Sequence, residues 1–158
     1  MLERLSYAKA APGVYQTMRG MHDYLQQCGL DHGLLNLVYL RASQINGCAY
    51  CIDMHWNDLR ADGVGEQQLY MLNAWREWPD YSDRERAALE WTEAVTRLRH
   101  GDVPDAVYEQ ARAQFSDEEL ANLTLAICAI NSWNRLNVAF RRKAGSYVPA
   151  TRPATAVR

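Results

Sequence analysis

Residues 32–61, HGLLNLVYLRASQINGCAYCIDMHWNDLRA, contain two successive helical patterns. In the first pattern, apolar side chains occupy more than one face, which is typical of a helix covered by its neighbours. The second pattern is entered through Asn46 and Gly47 and closes near Gly63. The stretch therefore predicts a largely buried helix over residues 32–46 and another helix over residues 48–61.

Helical spacing of apolar residues continues on both sides of this stretch, and strand-like alternation does not appear over any useful length. Two capping boxes, Ser82 with Glu85 and Ser116 with Glu119, mark the starts of two further helices. The chain therefore predicts an all-α, single-domain helical bundle of about six to seven helices. The remaining helices are predicted at residues 13–28, at 66–78, from near Pro104, and at 117–143.

We divide the chain into three segments. Residues 1–12 are predicted to be an N-terminal extension, and residues 13–145 the helical domain. Residues 146–158 are too poor in apolar side chains to pack well, so they are predicted to form a mobile C-terminal tail.

Length and charge exclude several classes of function. A chain of 158 residues with 48% hydrophobic content is suited to one globular domain. The formal net charge of -2 offers no cationic surplus for a phosphate backbone, so nucleic acid is not an expected partner. No apolar stretch approaches the roughly 20 residues that span a bilayer, so no membrane association is expected. We predict a cytoplasmic protein.

Two cysteines and a histidine form the candidate site. Cys48 and Cys51 are three residues apart, and His55 follows four residues later, so all three share one face of a helix. Free amides and the dipole at a helix N-terminus stabilise negative charge, which lowers the pKa of a thiol. A histidine can exchange protons near neutral pH. The pattern predicts a reactive thiol pair with a neighbouring base, and its strained disulfide would be easy to reduce.

Other chemistries fit the same residues less well. A thioredoxin-like motif should follow a strand, and a c-type haem site needs histidine where Ile52 stands. A zinc site on Cys48, Cys51 and His55 would lack the usual second ligand pair, although metal binding stays open as an alternative. Plain core packing of the three is a further alternative. Neither a cofactor nor a metal is expected. Cys28 and Cys128 lie in apolar helical patterns and are predicted to be core thiols.

Residues 40–55, LRASQINGCAYCIDMH, closely resemble the core signature of the AhpD-like alkylhydroperoxidase branch of the carboxymuconolactone decarboxylase superfamily. Residues 129–139, AINSWNRLNVA, are similar to the closing helix of that family, and the resemblance covers about residues 13–142. It implies an all-helical fold, assembly into homo-trimers or homo-hexamers, and antioxidant reduction of hydroperoxides.

The resemblance also implies roles for the motif. Cys51 would attack the peroxide and become a sulfenic acid, and Cys48 would resolve it as a disulfide. His55 would transfer protons, and an external dithiol reductant of the lipoyl or thioredoxin type would reopen the disulfide. The helix-end argument by itself favours Cys48 as the more acidic thiol. The expected function is a thiol-dependent peroxidase acting on alkyl or hydrogen peroxide.

One position departs from the family pattern. The family commonly has a glutamate twelve residues before the first motif cysteine, where this chain has Asn36, and an amide cannot act as a base. Asp58 is the candidate for another acid, and Tyr39, one turn on from Asn36, could hydrogen-bond into the site, although a phenol is a poor base at neutral pH. A non-catalytic redox-sensing or assembly protein of the same fold is therefore the alternative. Three amides on the otherwise apolar last helix are predicted to form hydrogen bonds between helices: Asn131, Asn134 and Asn137.

Overall fold

The computed structural model describes residues 2–149, and within that range the chain forms eight α-helices and no strand. The expectation of an all-α bundle is therefore confirmed, with one helix more than the upper estimate. The helices are α1 (Tyr7–Ala10), α2 (Pro12–Leu25), α3 (His32–Asn46), α4 (Ala49–Ala61), α5 (Glu66–Met71), α6 (Asp83–Arg97), α7 (Asp105–Arg112) and α8 (Asp117–Phe140).

The starts of three helices follow from side-chain caps. Both predicted capping boxes are present, since Ser82 and Ser116 each accept an amide hydrogen bond while Glu85 and Glu119 reach back to the cap. The Asp31 side chain caps α3 in the same way, by accepting from the Leu34 amide. These caps fix where α3, α6 and α8 enter the bundle.

Helix α3 lies at the centre of the bundle and packs against α4, α6 and α8. Residues on its different faces, such as Val38 and Leu40, are fully buried in two separate apolar clusters. The prediction that this helix is covered on several sides is confirmed, and α3 consequently supplies side chains to two different interior regions.

Helix α3 also contributes to a buried ion cluster around Glu93 of α6. Oε1 of Glu93 accepts hydrogen bonds from Arg41 of α3 at 2.9 and 2.7 Å and from the Trp75 indole at 2.9 Å. Its Oε2 accepts from Arg97 at 2.6 Å and Arg76 at 3.2 Å. Burial opposes ionisation of Glu93, but the bonds from Trp75, Arg41 and Arg97 outweigh it and lower its pKa to about 2. The cluster ties α3 to α6.

Of three further sequence expectations, two change and one is met. The helix expected at residues 66–78 is shorter, because α5 passes at Leu72–Ala74 into a 3₁₀ turn that brings Trp75 to Glu93. Cys28 packs at the edge of the core, as predicted. The prediction for Cys128 is wrong: its side chain is exposed, because it lies on a face of α8 that the other helices do not cover.

The ends of the chain give further detail. The predicted N-terminal extension contains α1, and α2 begins with Pro12, a residue suited to a first helical turn. Residues 150–158 of the predicted tail lie outside the described residues, whereas Gly145 and Tyr147 bond to α4. Within residues 2–149, every helix is too short or too polar to cross a bilayer.

Candidate active site

The turn between α3 and α4 delivers the cysteine pair. Gly47 ends α3 with φ at +66°, a left-handed conformation that glycine adopts without steric cost. Cys48 then serves as the N-cap of α4, and its sulfur accepts the Cys51 amide at 3.4 Å. Cys48 thus stands where serine or aspartate usually caps a helix, and Cys51 lies in the first turn.

The two sulfurs are joined as a disulfide, and the Cα atoms of Cys48 and Cys51 lie 5.4 Å apart. That separation is within the range that a disulfide accepts. Both residues are buried, with 1% and 0% of their surface exposed. A disulfide can therefore form within the first turn while α4 keeps its helical course.

A cavity of about 350 Å³ reaches one side of the pair. Cys51 and His55 both line it, so the two residues border one space. Aromatic and apolar side chains from α2, α4 and α8 form much of the wall, including Tyr15, Tyr50 and Trp133. The space is large enough for a small organic molecule beside Cys51.

His55 is buried and neutral. Burial, with a smaller contribution from the charge of His22, lowers the pKa of His55 to about 3. Its Nδ1 lies 3.3 Å from Oδ1 of Asn36, and in the tautomer with the proton on Nδ1 that nitrogen donates to the amide oxygen. Nε2 has no hydrogen-bond partner among residues 2–149. In that tautomer, Nε2 is the basic nitrogen of the ring.

Asn36 thus occupies the position from which a carboxylate would polarise His55. The amide oxygen orients the ring but cannot take its proton. Asp58 and Tyr39 also line the cavity. Asp58 accepts a hydrogen bond from the Tyr147 hydroxyl at 2.7 Å, and the ring of Tyr39 lies 5.1 Å from the His55 ring. Burial raises the pKa of Tyr39, so its phenol stays protonated and cannot serve as the base.

Comparison with family models identifies the family of this chain. The model of the carboxymuconolactone decarboxylase family matches residues 12–94, which is more than half of the chain. The chain belongs to this family.

Similar proteins indicate the branch of the family to which the chain belongs. The uncharacterised protein YdfG of Bacillus subtilis (strain 168) is 41% identical over 146 residues, which cover 92% of this chain and 99% of YdfG. The solved structure of ATU0492 from Agrobacterium tumefaciens is 44% identical, with a TM-score of 0.88 over 92% of this chain and 100% of that one. ATU0492 is a protein of unknown function suggested to be the antioxidant defence protein AhpD. The chain therefore falls in the AhpD-like branch of the family.

More distant structures share the fold alone. An uncharacterised peroxidase-related protein with an AhpD core, from Ralstonia eutropha JMP134, is 22% identical with a TM-score of 0.77, covering 88% of this chain and 74% of that one. The debrominase Bmp8 is 17% identical with a TM-score of 0.72, covering 87% and 74%. The fold of this family therefore does not fix the reaction.

Sequence reasoning missed part of the surroundings of Cys51. Asn137 of α8 donates from Nδ2 to the Cys51 sulfur at 3.3 Å, and the Tyr7 hydroxyl donates to Oδ1 of Asn137 at 3.0 Å. Asn131 and Asn134 bond to α3 through Asn46, as expected of amides between helices. The only signal for Asn137 was a polar residue on an apolar helix. Tyr7 stood in the segment predicted to be an extension and carried no signal.

A metal centre receives no support from geometry. Within the part of the chain that the structure describes, no group of three or more histidine, cysteine, aspartate or glutamate side chains is arranged to hold an ion.

Proposed function

We propose that this protein is a thiol-dependent peroxidase that reduces alkyl or hydrogen peroxides through a Cys48/Cys51 dithiol–disulfide cycle assisted by His55. The observation that carries the proposal is the bonded cysteine pair beside a cavity that Cys51 shares with a neutral histidine. Membership of the AhpD-like branch supports the same reading.

In the proposed cycle, the Cys51 thiolate attacks one peroxide oxygen, the O–O bond breaks, and the departing alkoxide takes a proton and leaves as the alcohol. Cys51 is then a sulfenic acid. Cys48 attacks the Cys51 sulfur, the S–S bond forms, and the oxygen leaves as water. An external dithiol of the lipoyl or thioredoxin type reduces the disulfide by two exchange steps and is itself oxidised.

The position of the cavity supports Cys51 as the attacking residue. Cys51 lines the cavity, whereas Cys48 caps the helix behind it. Neutral His55 can accept the thiol proton on its unpaired Nε2 and return it to the leaving group. The cavity therefore favours Cys51 as the attacking residue, whereas the position at the helix end by itself favoured Cys48.

The cellular setting belongs to the same proposal. We propose that the protein acts in the cytoplasm as a homo-trimer or homo-hexamer. The division into an extension, a domain and a tail stays a prediction.

A redox sensor of the same fold is the second candidate, and Asn36 is the observation that favours it. With an amide in the place of the family's glutamate, the proton relay ends at His55. A sensor would form the disulfide once with peroxide and would not turn over with a dithiol.

The test measures peroxide-dependent oxidation of dihydrolipoamide, with tert-butyl hydroperoxide and hydrogen peroxide as substrates. We expect repeated turnover by the native chain and none by the double variant Cys48→Ala, Cys51→Ala. The matched control, Cys28→Ala with Cys128→Ala, also removes two thiols but should retain turnover. Equal rates in the native chain and the Cys48/Cys51 variant would end the enzyme proposal, and a single stoichiometric oxidation would identify the sensor.

A further inference from the structure

We propose that Tyr7 and Asn137 are positioning residues, which hold the Cys51 sulfur as a thiolate through a chain of hydrogen bonds that starts at Arg142. The inference rests on the thiol chemistry of the proposed function, because it concerns the charge state of the sulfur that attacks.

The chain of bonds has one direction. Nη1 of Arg142 donates to the Tyr7 hydroxyl oxygen at 3.3 Å. That hydroxyl donates to Oδ1 of Asn137 at 3.0 Å, and Nδ2 of Asn137 donates to the Cys51 sulfur at 3.3 Å. Every donor points toward the sulfur, so the guanidinium charge polarises each bond in turn. Negative charge on the sulfur is the state that such a chain stabilises.

Tyr7 fixes which end of the Asn137 amide faces Cys51. A tyrosine hydroxyl that donates to the amide oxygen leaves the NH₂ group for the sulfur. Burial raises the pKa of Tyr7, with Arg142 opposing it, so the phenol remains a proton donor. Without the hydroxyl, the amide could turn its oxygen toward the sulfur, where it would repel a thiolate.

Burial makes this chain strong. Tyr7 is 6% exposed, Asn137 is 5% exposed and Cys51 is fully buried. A hydrogen bond to a charged group is stronger in an interior of low polarity, and a lost donor there is not replaced by bulk water.

Packing and a backbone hydrogen bond hold the N-terminal helix α1 against the end of α8. The Tyr7 ring packs against Phe140 and Trp133 of α8, at centroid distances of 5.9 and 6.5 Å. The backbone amide of Arg4 also donates to the Phe140 carbonyl at 3.0 Å. Segment α1 is thus docked on the end of α8, which brings its hydroxyl to Asn137.

Other charges near Cys51 do not replace the chain. With the disulfide closed, His55 is neutral, so it places no fixed positive charge beside the sulfur. The stacking of Arg142 on Tyr50 of α4, 4.0 Å from the ring, keeps the guanidinium on this side of the cavity. The remaining ionisable groups that face the cavity are Tyr15, Arg19 and His22 of α2, Asp58 and Asp62 at the end of α4 and its C-cap, Tyr39 of α3, and Tyr147.

The experiment measures the pKa of the Cys51 thiol directly. In a Cys48→Ser background, the reduced protein is alkylated with iodoacetamide at a series of pH values, and modification of Cys51 is quantified by peptide mass spectrometry. Asn137→Ala should raise the pKa of Cys51 by about one unit, because one charge-assisted hydrogen bond is lost. Tyr7→Phe should raise it by about half a unit. Tyr15→Phe, which removes a hydroxyl from the same cavity but not from the chain, should leave the pKa unchanged.

The outcomes separate this inference from the proposed function. Unchanged pKa values in both Tyr7→Phe and Asn137→Ala would overturn the inference, even if the native chain reduces peroxides. A rise in both variants would uphold it, even if the native chain fails to turn over with peroxide. If Asn137→Ala does not fold, Tyr7→Phe decides, since it keeps the ring that packs on α8. An equal shift in Tyr15→Phe would show a general effect of the cavity and would also overturn the inference.

Discussion

Two buried polar centres lie on opposite sides of α3, and they differ in the charge state of their central residue. Around Glu93, both carboxylate oxygens are paired with donors, and the group is held ionised. Around His55, one ring nitrogen is paired with Asn36 and the other has no partner among the described residues, and the group is held neutral. Both residues are buried to a similar degree, with 4% and 6% exposed.

The difference indicates which centre serves stability and which serves chemistry. A fully satisfied buried network holds elements in one arrangement, and its members have no free capacity for a reaction. A buried base with an unpaired nitrogen is a cost to stability that is usual at reactive sites. Helix α3 therefore carries a structural centre at Arg41 and, at Asn36, the centre that we propose to be reactive.

The largest expected effect is on the structural centre. Glu93→Ala should lower the free energy of unfolding by about 3–5 kcal/mol, because it leaves the buried guanidinium of Arg41 without its counter-charge. Urea denaturation measures the change. The control is Glu90→Ala, whose ion pair with Arg76 is more exposed and should cost less than about 1 kcal/mol. Equal costs at both positions would mean that the Glu93 cluster is no more than a surface ion pair.

Removing the base of the reactive centre should affect the reaction more than the fold. His55→Gln should slow oxidation of the reduced thiols by peroxide about 100-fold at pH 7, because a positioned general base contributes at least that factor. Stopped-flow mixing of reduced protein with peroxide gives the rate. His32→Gln, at the exposed start of α3, should match the native rate. A native rate in His55→Gln would exclude the imidazole from proton transfer.

The two centres should respond to acid in different pH windows. In the unfolded chain, His55 binds a proton below about pH 6.5, whereas in the folded chain it does so only near pH 3. The stability that neutral His55 contributes is therefore fully present above about pH 6.5. It is lost as the pH falls, by about 1.4 kcal/mol per pH unit. Glu93 contributes stability above about pH 4.5 that is lost toward pH 2.

Urea denaturation at pH 7, 5.5 and 4.5 tests this separation. His55→Gln should remove much of the slope between pH 6.5 and 4.5, whereas Glu93→Gln should leave that slope in place. The same slope in the native chain and in His55→Gln would contradict a neutral folded imidazole.

The smallest expected effect comes from restoring a carboxylate beside His55. Asn36→Glu should raise the pKa of His55 and increase the rate of thiol oxidation about tenfold, because a negative partner stabilises the protonated ring. Asn36→Gln lengthens the side chain without adding charge and serves as the control. If both variants oxidise at the same rate, the family glutamate has no role that this chain lacks.

Prediction from sequence succeeded where the determinant is local. Both capping boxes, the helix over residues 32–46 and the α4 start beside Cys48 depend on residues within a few positions of one another. The prediction of a helix over residues 66–78 was wrong after Met71. There the chain enters a 3₁₀ turn, and Trp75 bonds to Glu93, which lies 18 positions away. The prediction that Cys128 is a core thiol was wrong, because helical spacing identifies an apolar row but not the neighbour that would cover it.

The sequence alone determined the all-helical fold, the family signature and the juxtaposition of Cys48, Cys51 and His55, because these follow from spacings of three and four residues on one helix. Only the tertiary structure decided that Asn36 partners His55, that Cys51 faces the cavity, and that Asn137 and Tyr7 bond toward its sulfur. The bond from Asn137 to Cys51 spans 86 positions, and that from Tyr7 to Asn137 spans 130. Contacts over such separations depend on how whole helices pack, which no local spacing encodes.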